Sequence, residues 1–494
     1  MRSVRRQNAG RFAAMALALL CSGCAVGPDF KKPAAPAVAS YTAQPLPPQT
    51  AKADIPGGEA QQLVAGADIP AQWWALFHSE ALDALIKQTI RANPNLQSAR
   101  AALRVAMENV KAQEGAYFPT LQAGYNASRE RNSNILSPTL ANNLLLFNLY
   151  QAQLSASWTP DIWGGNRRSV EALQAQADAQ KFEVESTYVT LTTNVVAAAV
   201  QEASLRAQIA GTEDIIKAEK DSLVILNKQL SLGQVAGADV AAQEAALAQA
   251  QQALPPLQKQ LAQQRDLLIA LAGRLPSEDI EQHFELADLQ LPQQVPVSVP
   301  SKLVEQRADV RLAEENLHAA SAQIGVAIAD MLPNVTLSAN AGTQALAMGG
   351  LFSPGNQFWS VAGNATQTLF DAGTSLHKTR AARATYDEAA AQYRGAVVTA
   401  FQNVADALHA LQSDADLLEA ASASERAAGE SLKITQRQLQ LGAIGYLALL
   451  NAQQTYQQAL ISRIQAQASR YADTAALFQA LGGGWWNSET VAKN

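Results

Sequence analysis

Two matching segments in the chain mark an internal duplication. Leu230–Glu244 reads LSLGQVAGADVAAQE and Leu439–Gln453 reads LQLGAIGYLALLNAQ, so that Gly233 and Gly442 are equivalent. In each copy a long segment rich in Ala, Gln and Leu reaches Leu-Gly, breaks briefly and continues as a second such segment. Because glycine can adopt the left-handed conformation that ends a helix, each Leu-Gly predicts a C-cap before a reversal. We therefore predict a long helical hairpin that occurs twice.

The match extends to the rest of each half. Phe118-Pro119 parallels Leu332-Pro333. Both halves keep the order helix, β-hairpin, long helix, Leu-Gly break and return helix over more than about 150 residues. In the first repeat, 79–275, the predicted strands are 120–130 and 148–160 and the predicted long and return helices are 168–232 and 238–272. In the second repeat, 301–486, the corresponding strands are 334–343 and 357–370 and the helices are 375–441 and 446–481.

Three further features refine this outline. Pro255-Pro256 predicts a kink, or two stacked pieces, within the first return helix. The Trp73-Trp74 pair precedes a short helix and is typical of core packing. A Pro-rich linker is predicted at 276–300, and 487–494 is a short C-terminal tail.

Composition narrows the function classes. Apolar residues make up 48% of the 494 residues, but aromatics only 6% and charged residues only 16%, which favours long, thin helix packing over a thick globular core. The net charge of −6 offers no basic patch for nucleic acid. The five histidines are scattered, and no Gly-rich phosphate loop follows a strand. We therefore expect neither an enzyme nor a cofactor or metal site.

The N-terminus predicts export from the cytoplasm. The first eleven residues carry four arginines, and Phe12–Leu20 is an apolar stretch too short to span a bilayer. Cys21-Ser-Gly-Cys24 follows and resembles a bacterial lipobox that is cleaved before Cys24. This predicts a signal peptide at 1–23 and a mature chain with N-palmitoyl and S-diacylglycerol groups on Cys24. An ordinary cleavable signal peptide is the alternative.

Residues 24–78 are predicted to be a lipidated, extended tether, because 33–70 is rich in Pro, Ala and Gln. If Cys21 leaves with the signal peptide and Cys24 carries lipid, no thiol remains for a disulfide. Ala25-Val26 follows Cys24, with no Asp at the second position. By resemblance to bacterial sorting rules, this favours the outer membrane, with its lipid as the anchor, over the inner membrane.

The predicted strands alternate in the manner of membrane strands. Thr120–Arg129 and Tyr150–Trp158 are each about ten residues long, which suits a tilted strand across a bilayer. Four strands are too few to close a barrel, and an open edge would leave unpaired backbone groups in lipid. Several chains must therefore contribute strands to one barrel with cyclic symmetry. Trp158, Trp163 and Trp359 lie near strand ends, where either an interfacial aromatic belt or simple packing explains them.

The chain resembles the outer-membrane efflux protein family (TolC-like), in the lipoprotein branch that serves resistance-nodulation-division (RND) drug pumps. The resemblance covers essentially the whole chain. Besides the lipobox and the doubled order of elements, it is carried by Cys24–Phe30, Trp73-Trp74, Leu369–Gly373, Gly442–Gln453 and Ala480–Trp486.

The resemblance implies a mainly α protein with a membrane β-barrel. Its homotrimer would form a twelve-stranded barrel in the outer membrane and a periplasmic α-helical tunnel. The tunnel tip would dock onto a periplasmic adaptor (membrane fusion) protein and, through it, an inner-membrane RND pump, so that the duct itself is passive. Two alternatives remain open, the exit channel of a type I protein-secretion system and a structural coiled-coil lipoprotein.

The resemblance also implies site residues. In the family, a leucine and an aspartate one turn later ring the periplasmic aperture, and the matching positions here are Leu447 and Asn451. They are i and i+4, so both can face one lumen. Asn451 puts an acidic ring at this level in doubt, and Leu447 has ordinary coiled-coil packing as its alternative role. The tip residues expected to dock the adaptor are Gly233, Gln234, Val235, Gly442, Ala443 and Ile444.

The lipobox generates a direct prediction. Cys24→Ala should abolish incorporation of labelled palmitate, because it removes the thiol and the new N-terminus that would carry the lipid. Labelling can be followed by autoradiography of the immunoprecipitated protein, with the unsubstituted protein as the positive control. Palmitate incorporation that persists in Cys24→Ala would contradict the lipobox.

Overall fold

The computed structural model describes residues 25–133 and 145–488, and within these ranges the chain is mainly helical. The α-helices are α1 (Glu80–Ala92), α2 (Pro94–Glu114), α3 (Gly165–Ser231), α4 (Gly237–Leu271), α5 (Pro300–Gln306), α6 (Ala308–Ala329), α7 (Thr374–Gln440) and α8 (Tyr446–Ala480). The strands are β1 (Gln62–Ala65), β2 (Thr120–Arg131), β3 (Leu146–Trp158), β4 (Gln294–Val297), β5 (Asn334–Ala345) and β6 (Gln357–Thr366). None of the described helices has the length and apolar character needed to cross a membrane.

The duplication predicted from the sequence is confirmed. The long helices α3 and α7 each contain 67 residues, and the return helices α4 and α8 each contain 35. The second long helix and the second return helix each begin 209 residues after their first-copy counterparts (374 − 165 and 446 − 237). At 1.5 Å per residue, a 67-residue helix is about 100 Å long.

Of the two forms expected for the first return helix, two stacked pieces is wrong. Helix α4 runs continuously from Gly237 to Leu271 with Pro255 and Pro256 inside it. Each proline removes only one backbone donor, and both prolines lie on the exposed side of the helix. Water can therefore satisfy the freed carbonyl groups one turn earlier, while the flanking turns keep their own hydrogen bonds.

The last strand is shorter than the predicted range of 357–370. Its final pair joins Thr366 to Asn334 at the start of β5. One step further the partner would be Pro333, which has no amide hydrogen to donate to the ladder. The Gln367 side chain instead donates to the carbonyl of Met331 at 3.1 Å. Strand β3 likewise ends at Trp158 rather than at the predicted residue 160.

Contacts divide the chain into two units, the first of which comprises 1–32, 102–180 and 313–393. Its centre is an antiparallel sheet in the order β2-β3-β5-β6. Opposite residues in this register share a face, and one face carries apolar or small side chains. These are Leu121, Ala123, Tyr125, Ala127, Leu146, Tyr150, Ala152, Leu154, Ala156, Trp158, Val335, Leu337, Ala339, Ala341, Ala345, Trp359, Val361, Gly363 and Ala365. Toward the end nearest the loops the same face also carries polar side chains, namely Arg129, Arg131, Asn148, Thr343 and Gln357.

The other face of the same sheet is polar and almost uncharged. Amide, hydroxyl and small side chains cover most of it: Gln122, Gly124, Asn126, Ser128, Gln151, Gln153, Ser155, Ser157, Asn334, Thr336, Ser338, Asn340, Gly342, Gln344, Ser360, Ala362, Asn364 and Thr366. Glu130, Phe147, Leu149 and Phe358 complete it at the end nearest the loops. The alternation read from the sequence therefore produces two chemically distinct surfaces.

The second unit comprises 33–101, 181–312 and 394–494. Much of the predicted tether is packed into it. Strand β1 pairs in parallel with β4, with Gln62 opposite Gln294, and Trp73 is fully buried with its ring 5.2 Å from that of Phe478. The free tether expected for this segment is therefore wrong. Strands of four residues with no alternating pattern gave no signal in the sequence.

A buried arginine holds this segment in place. Arg470 is fully buried, and its Nη2 donates to Thr50 Oγ1 at 3.0 Å and to the Glu59 carbonyl at 2.6 Å. Burial lowers the pKa of Arg470. Nearby, burial raises the pKa of Asp414 to about 7, helped by the hydrogen bond that protonated Asp414 donates to the Asp473 carboxylate and by the negative charge of Asp473.

This carboxyl pair gives a pH prediction. A raised folded-state pKa means that the folded protein binds the Asp414 proton more tightly than the unfolded chain does. Stability should therefore fall as pH rises from the ordinary value of 3.8 to about 7, and then level off. Asp414→Asn should remove part of this fall, measured as the difference in Tm between about pH 5 and about pH 8.

Asp416→Asn is the matched control, because Asp416 lies on the same helix and is exposed. It should retain the pH dependence of the unsubstituted protein. Identical pH dependence in the unsubstituted protein and Asp414→Asn would refute this role for the carboxyl pair.

Candidate functional site

The two Leu-Gly segments end their helices in the same way. Gly233 and Gly442 have φ angles of 73° and 71°, in the left-handed region that glycine adopts without strain. In both copies the amide that follows the glycine donates to a carbonyl five residues earlier at 2.9 Å. This is the Schellman arrangement, and it satisfies carbonyl groups that would otherwise be unpaired. The long helices α3 and α7 therefore both reverse at the predicted position.

A small apolar core lies beneath the two reversals. It consists of the buried side chains of Leu226, Val240, Tyr446 and Leu449 from the long and return helices. Leu447 lies outside this core, with 67% of its surface exposed. Within a single chain, Leu447 is therefore not an ordinary coiled-coil core residue.

Leu447 and Asn451 line one cleft, as their spacing of four residues predicts. The cleft has a volume of about 670 Å³ and lies between α4 and α8. Alanines such as Ala242 and Ala246 form the α4 wall, and glutamines dominate the α8 wall. No charged side chain other than Glu219 lines it among the described residues. The assignment of Leu447 and Asn451 to an aperture stays a prediction.

The two copies differ at these positions. With the offset of 209, Leu447 corresponds to Ala238 (447 − 209) and Asn451 to Ala242 (451 − 209). Asp239, the acidic residue of the first tip, has one carboxylate oxygen 3.2 Å from the Ala236 amide, from which it accepts a hydrogen bond. It therefore stabilises the first turn of α4, where a negative charge is favourable.

A buried hydrogen-bond chain fixes the first turn of α8. The Tyr446 hydroxyl donates to Gln243 Oε1 at 2.5 Å, and Gln243 Nε2 donates to the Glu219 carboxylate at 2.5 Å and to its carbonyl at 2.8 Å. Burial raises the pKa of Glu219, and burial followed by the charge of Glu219 raises that of Tyr446 to about 12. These hydrogen bonds hold the Tyr446 side chain in place and so position its neighbour Leu447.

The sequence analysis did not predict these hydrogen bonds between Tyr446, Gln243 and Glu219. Glu219 and Gln243 lie 24 residues apart within segments rich in Glu and Gln, where nothing marks them as special. Tyr446 offered the one available signal, because no other aromatic residue occurs within Leu439–Gln453.

The six predicted docking residues occupy the turns themselves. Gly233, Gln234, Gly442 and Ala443 are exposed, whereas Val235 and Ile444 are half-buried. Val235 packs against the apolar core of the tip. The two half-buried residues are equivalent positions of the repeat (444 − 235 = 209). Their role in binding an adaptor stays a prediction.

Cys24 lies outside the described residues, but the residues that follow it are held firmly. Arg168 is nearly buried, and it donates to the Val26 carbonyl at 3.1 Å and to the Asp29 carboxylate at 2.7 Å. The Phe30 ring stacks on His318 with 4.4 Å between ring centroids. This part of the predicted tether is therefore docked as well.

The exposed leucine generates a prediction. If Leu447 closes an aperture, Leu447→Ser should raise single-channel conductance in planar bilayers and increase the entry of large antibiotics, because a hydroxyl is smaller and admits water. Leu441→Ser is the control, since Leu441 is also an exposed leucine of the same tip but lies before the reversal. Equal conductance of Leu447→Ser and the unsubstituted protein would argue against the aperture.

Comparison with known proteins agrees with the geometry. The chain matches the family described as "Outer membrane efflux protein" over residues 85–274 and 299–483. It is 28% identical over 471 residues to the probable efflux pump outer membrane protein TtgC of Pseudomonas putida, covering 95% of this chain and 94% of TtgC. It is 27% identical over 484 residues to the outer membrane protein OprJ of Pseudomonas aeruginosa, covering 97% of each chain.

A solved structure shows the same architecture. The outer-membrane channel OprN superimposes with a TM-score of 0.82 at 25% identity, covering 94% of this chain and all of the OprN chain. The two family segments include both hairpins, both long helices and both reversals of this chain. The chain belongs to the outer membrane efflux protein family.

Proposed function

We propose that this chain is the outer-membrane exit duct of a tripartite efflux pump, which passively releases small toxic compounds that an inner-membrane pump supplies. The observation that carries the proposal is the two-faced sheet of the first unit. Its apolar face suits lipid, and its polar, almost uncharged face suits a water-filled lumen. A scaffold lipoprotein would need neither face.

The sheet edges support a closed assembly of several chains. In the described chain, β2 and β6 each pair on one side only. An open edge in lipid leaves backbone groups unpaired at a cost of several kcal/mol each. Pairing β6 of one copy with β2 of the next removes every edge, and three copies supply twelve strands (3 × 4). A homotrimer with a shared barrel is therefore part of the proposal.

The names of two similar proteins support the binding partners that we propose for this chain. TtgC and OprJ are outer membrane proteins, and TtgC is named as part of an efflux pump. For this chain we propose a periplasmic adaptor bound at the Gly233 and Gly442 turns and an inner-membrane RND pump beyond it. A lipid anchor on Cys24 completes the proposal, supported by the docking of Val26 and Asp29 onto Arg168.

Neighbouring residues of β6 provide a test. Val361 lies on the apolar face and Ala362 on the polar face. Val361→Arg should place a charge in lipid at a cost of about 2–4 kcal/mol per chain near the midplane, whereas Ala362→Arg should face the lumen. Each variant is expressed in a strain that lacks the natural gene. Outer-membrane fractions are then examined for a heat-modifiable, SDS-resistant trimer, and growth is measured across antibiotics, dyes and solvents.

We expect Val361→Arg to lose most of the trimer and the resistance, and Ala362→Arg to keep both. Equal behaviour of the two variants would contradict the assignment of the faces. A deletion strain with unchanged susceptibility but a missing secreted protein would instead identify a type I secretion channel.

A further inference from the structure

The loop that joins β5 to β6 is compact and ordered. Its centre is a 3₁₀ turn at Met348–Gly350, and Leu351 behind the turn is only 2% exposed. The Asn356 side-chain amide donates to the Gly350 carbonyl at 2.6 Å. The backbone amide of Gln344 donates to the backbone carbonyl of Asn356 at 2.9 Å. Hydrogen bonds within the loop therefore determine where its exposed side chains lie.

The loop folds onto the apolar face of the sheet. Tyr125 belongs to that face, and its hydroxyl lies 3.3 Å from the sulfur of Met348, to which it donates. Tyr125 is on β2, two strands away from β5 in the sheet, so the loop crosses over β3 to reach it. Ala345, the last residue of β5, lies on the same face and is buried.

The loop exposes large apolar side chains next to that face. Phe352 is 79% exposed and Met348 is 56% exposed. On the apolar face of β6, Trp359 and Val361 are also more than 70% exposed, at 78% and 75%. Large apolar side chains that are exposed beside an apolar sheet face mark contact with a membrane or another protein.

Near the end of the sheet that carries this loop, the side chains of the apolar face change from uncharged to basic. Beyond Tyr125 the apolar face continues with Arg129 and Arg131, both exposed, opposite Asn148 and Leu146. These residues lie at the end of the strands that is joined by loops, opposite the end that leads into the long helices. Guanidinium groups bind phosphate through paired hydrogen bonds, so they suit the headgroup level of an anionic lipid surface.

The length of the sheet places this change at the outer boundary of a bilayer. Ten residue steps from Val335 to Ala345 correspond to about 33 Å along the strand. With a tilt of about 40°, this becomes about 25 Å, which is the height of the apolar band on outer-membrane barrels.

We propose that Tyr125, Met348 and Phe352, together with Arg129 and Arg131, form a lipid-binding lip on the outer leaflet of the membrane. Met348 and Phe352 contact acyl chains, and the two arginines bind lipid phosphates. The inference rests on the proposed function only in requiring the apolar face of the sheet to lie in lipid. The lip holds the β5–β6 loop down beside the barrel wall, away from the opening of the lumen.

Site-specific fluorescence tests the acyl-chain contact. Phe352→Cys is labelled with an environment-sensitive fluorophore in the assembled full-length protein, in vesicles of phosphatidylcholine and lipid A. Quenching by a nitroxide-labelled lipid is compared with quenching by aqueous iodide. Ser353→Cys is the matched control, because Ser353 is the next residue and is also exposed. The unsubstituted protein, treated with the same reagent, gives the background.

We expect lipid quenching of residue 352 to exceed its iodide quenching severalfold, with the preference weaker at residue 353. Stronger quenching by iodide at residue 352 would overturn the lip. Protection from both quenchers would also overturn it, because a protein partner or a second copy would then cover the loop.

Two more positions separate this inference from the proposed function. Labels at Leu154→Cys and Gln153→Cys report the apolar and polar faces of β3. If residue 154 is quenched by lipid and residue 352 is not, the lip alone is wrong. If residue 154 is quenched by iodide, the placement of the sheet in the membrane is wrong as well.

Lipid retention tests the two arginines. The double variant Arg129→Gln, Arg131→Gln should retain severalfold less lipid A after purification in detergent, measured by mass spectrometry. Arg104→Gln, a change of an exposed arginine on α2, should retain as much as the unsubstituted protein. Equal retention by the double variant would exclude phosphate binding at this site.

Discussion

The unpaired edges of the four-stranded sheet govern the rest of the structure. Backbone amide and carbonyl groups at an edge can be exposed to water but not to lipid. A sheet with one apolar face and two open edges is therefore incomplete as a single chain. In the trimer proposed above, closure by further copies satisfies the edges and encloses the polar face. In that trimer the duplicated hairpin doubles the number of strands that each chain brings to the barrel.

Duplication gave two equal scaffolds that carry different side chains. The helix lengths and the glycine turns at Gly233 and Gly442 agree between the copies. The first turns of the return helices do not, since Tyr446 corresponds to Gly237 (446 − 209). The hydrogen-bond chain from Tyr446 through Gln243 to Glu219 therefore exists once per chain. Backbone geometry is preserved by the repeat, and chemical specialisation is confined to one tip.

The sequence predicted those features of the structure that depend on residues close together in the chain. Helix reversals at Leu-Gly and alternation along the strands are local patterns, so both were predicted within a few residues. Pro255 did not divide α4 into two pieces as one reading of the sequence predicted, because the long helix keeps its other hydrogen bonds and exposes the proline to water. Pairing of Gln62 with Gln294 and the contacts of Arg470 depend on residues far apart in the chain, which no local pattern reveals. The exposure of Leu447 likewise depends on how α4 and α8 pack.

The docking of Val26 and its neighbours has a consequence for biogenesis. Gly27 lies so close to Gly325 that a β-carbon on Gly27 would be 2.4 Å from the Gly325 Cα. Its docking site thus combines Arg168 with a residue almost 300 positions later (325 − 27 = 298). The segment around Gly27 therefore has no complete binding surface until most of the polypeptide, up to Gly325, has been made. If Cys24 is lipidated as proposed above, the enzymes that modify it can act during that interval, before the fold encloses the segment that follows.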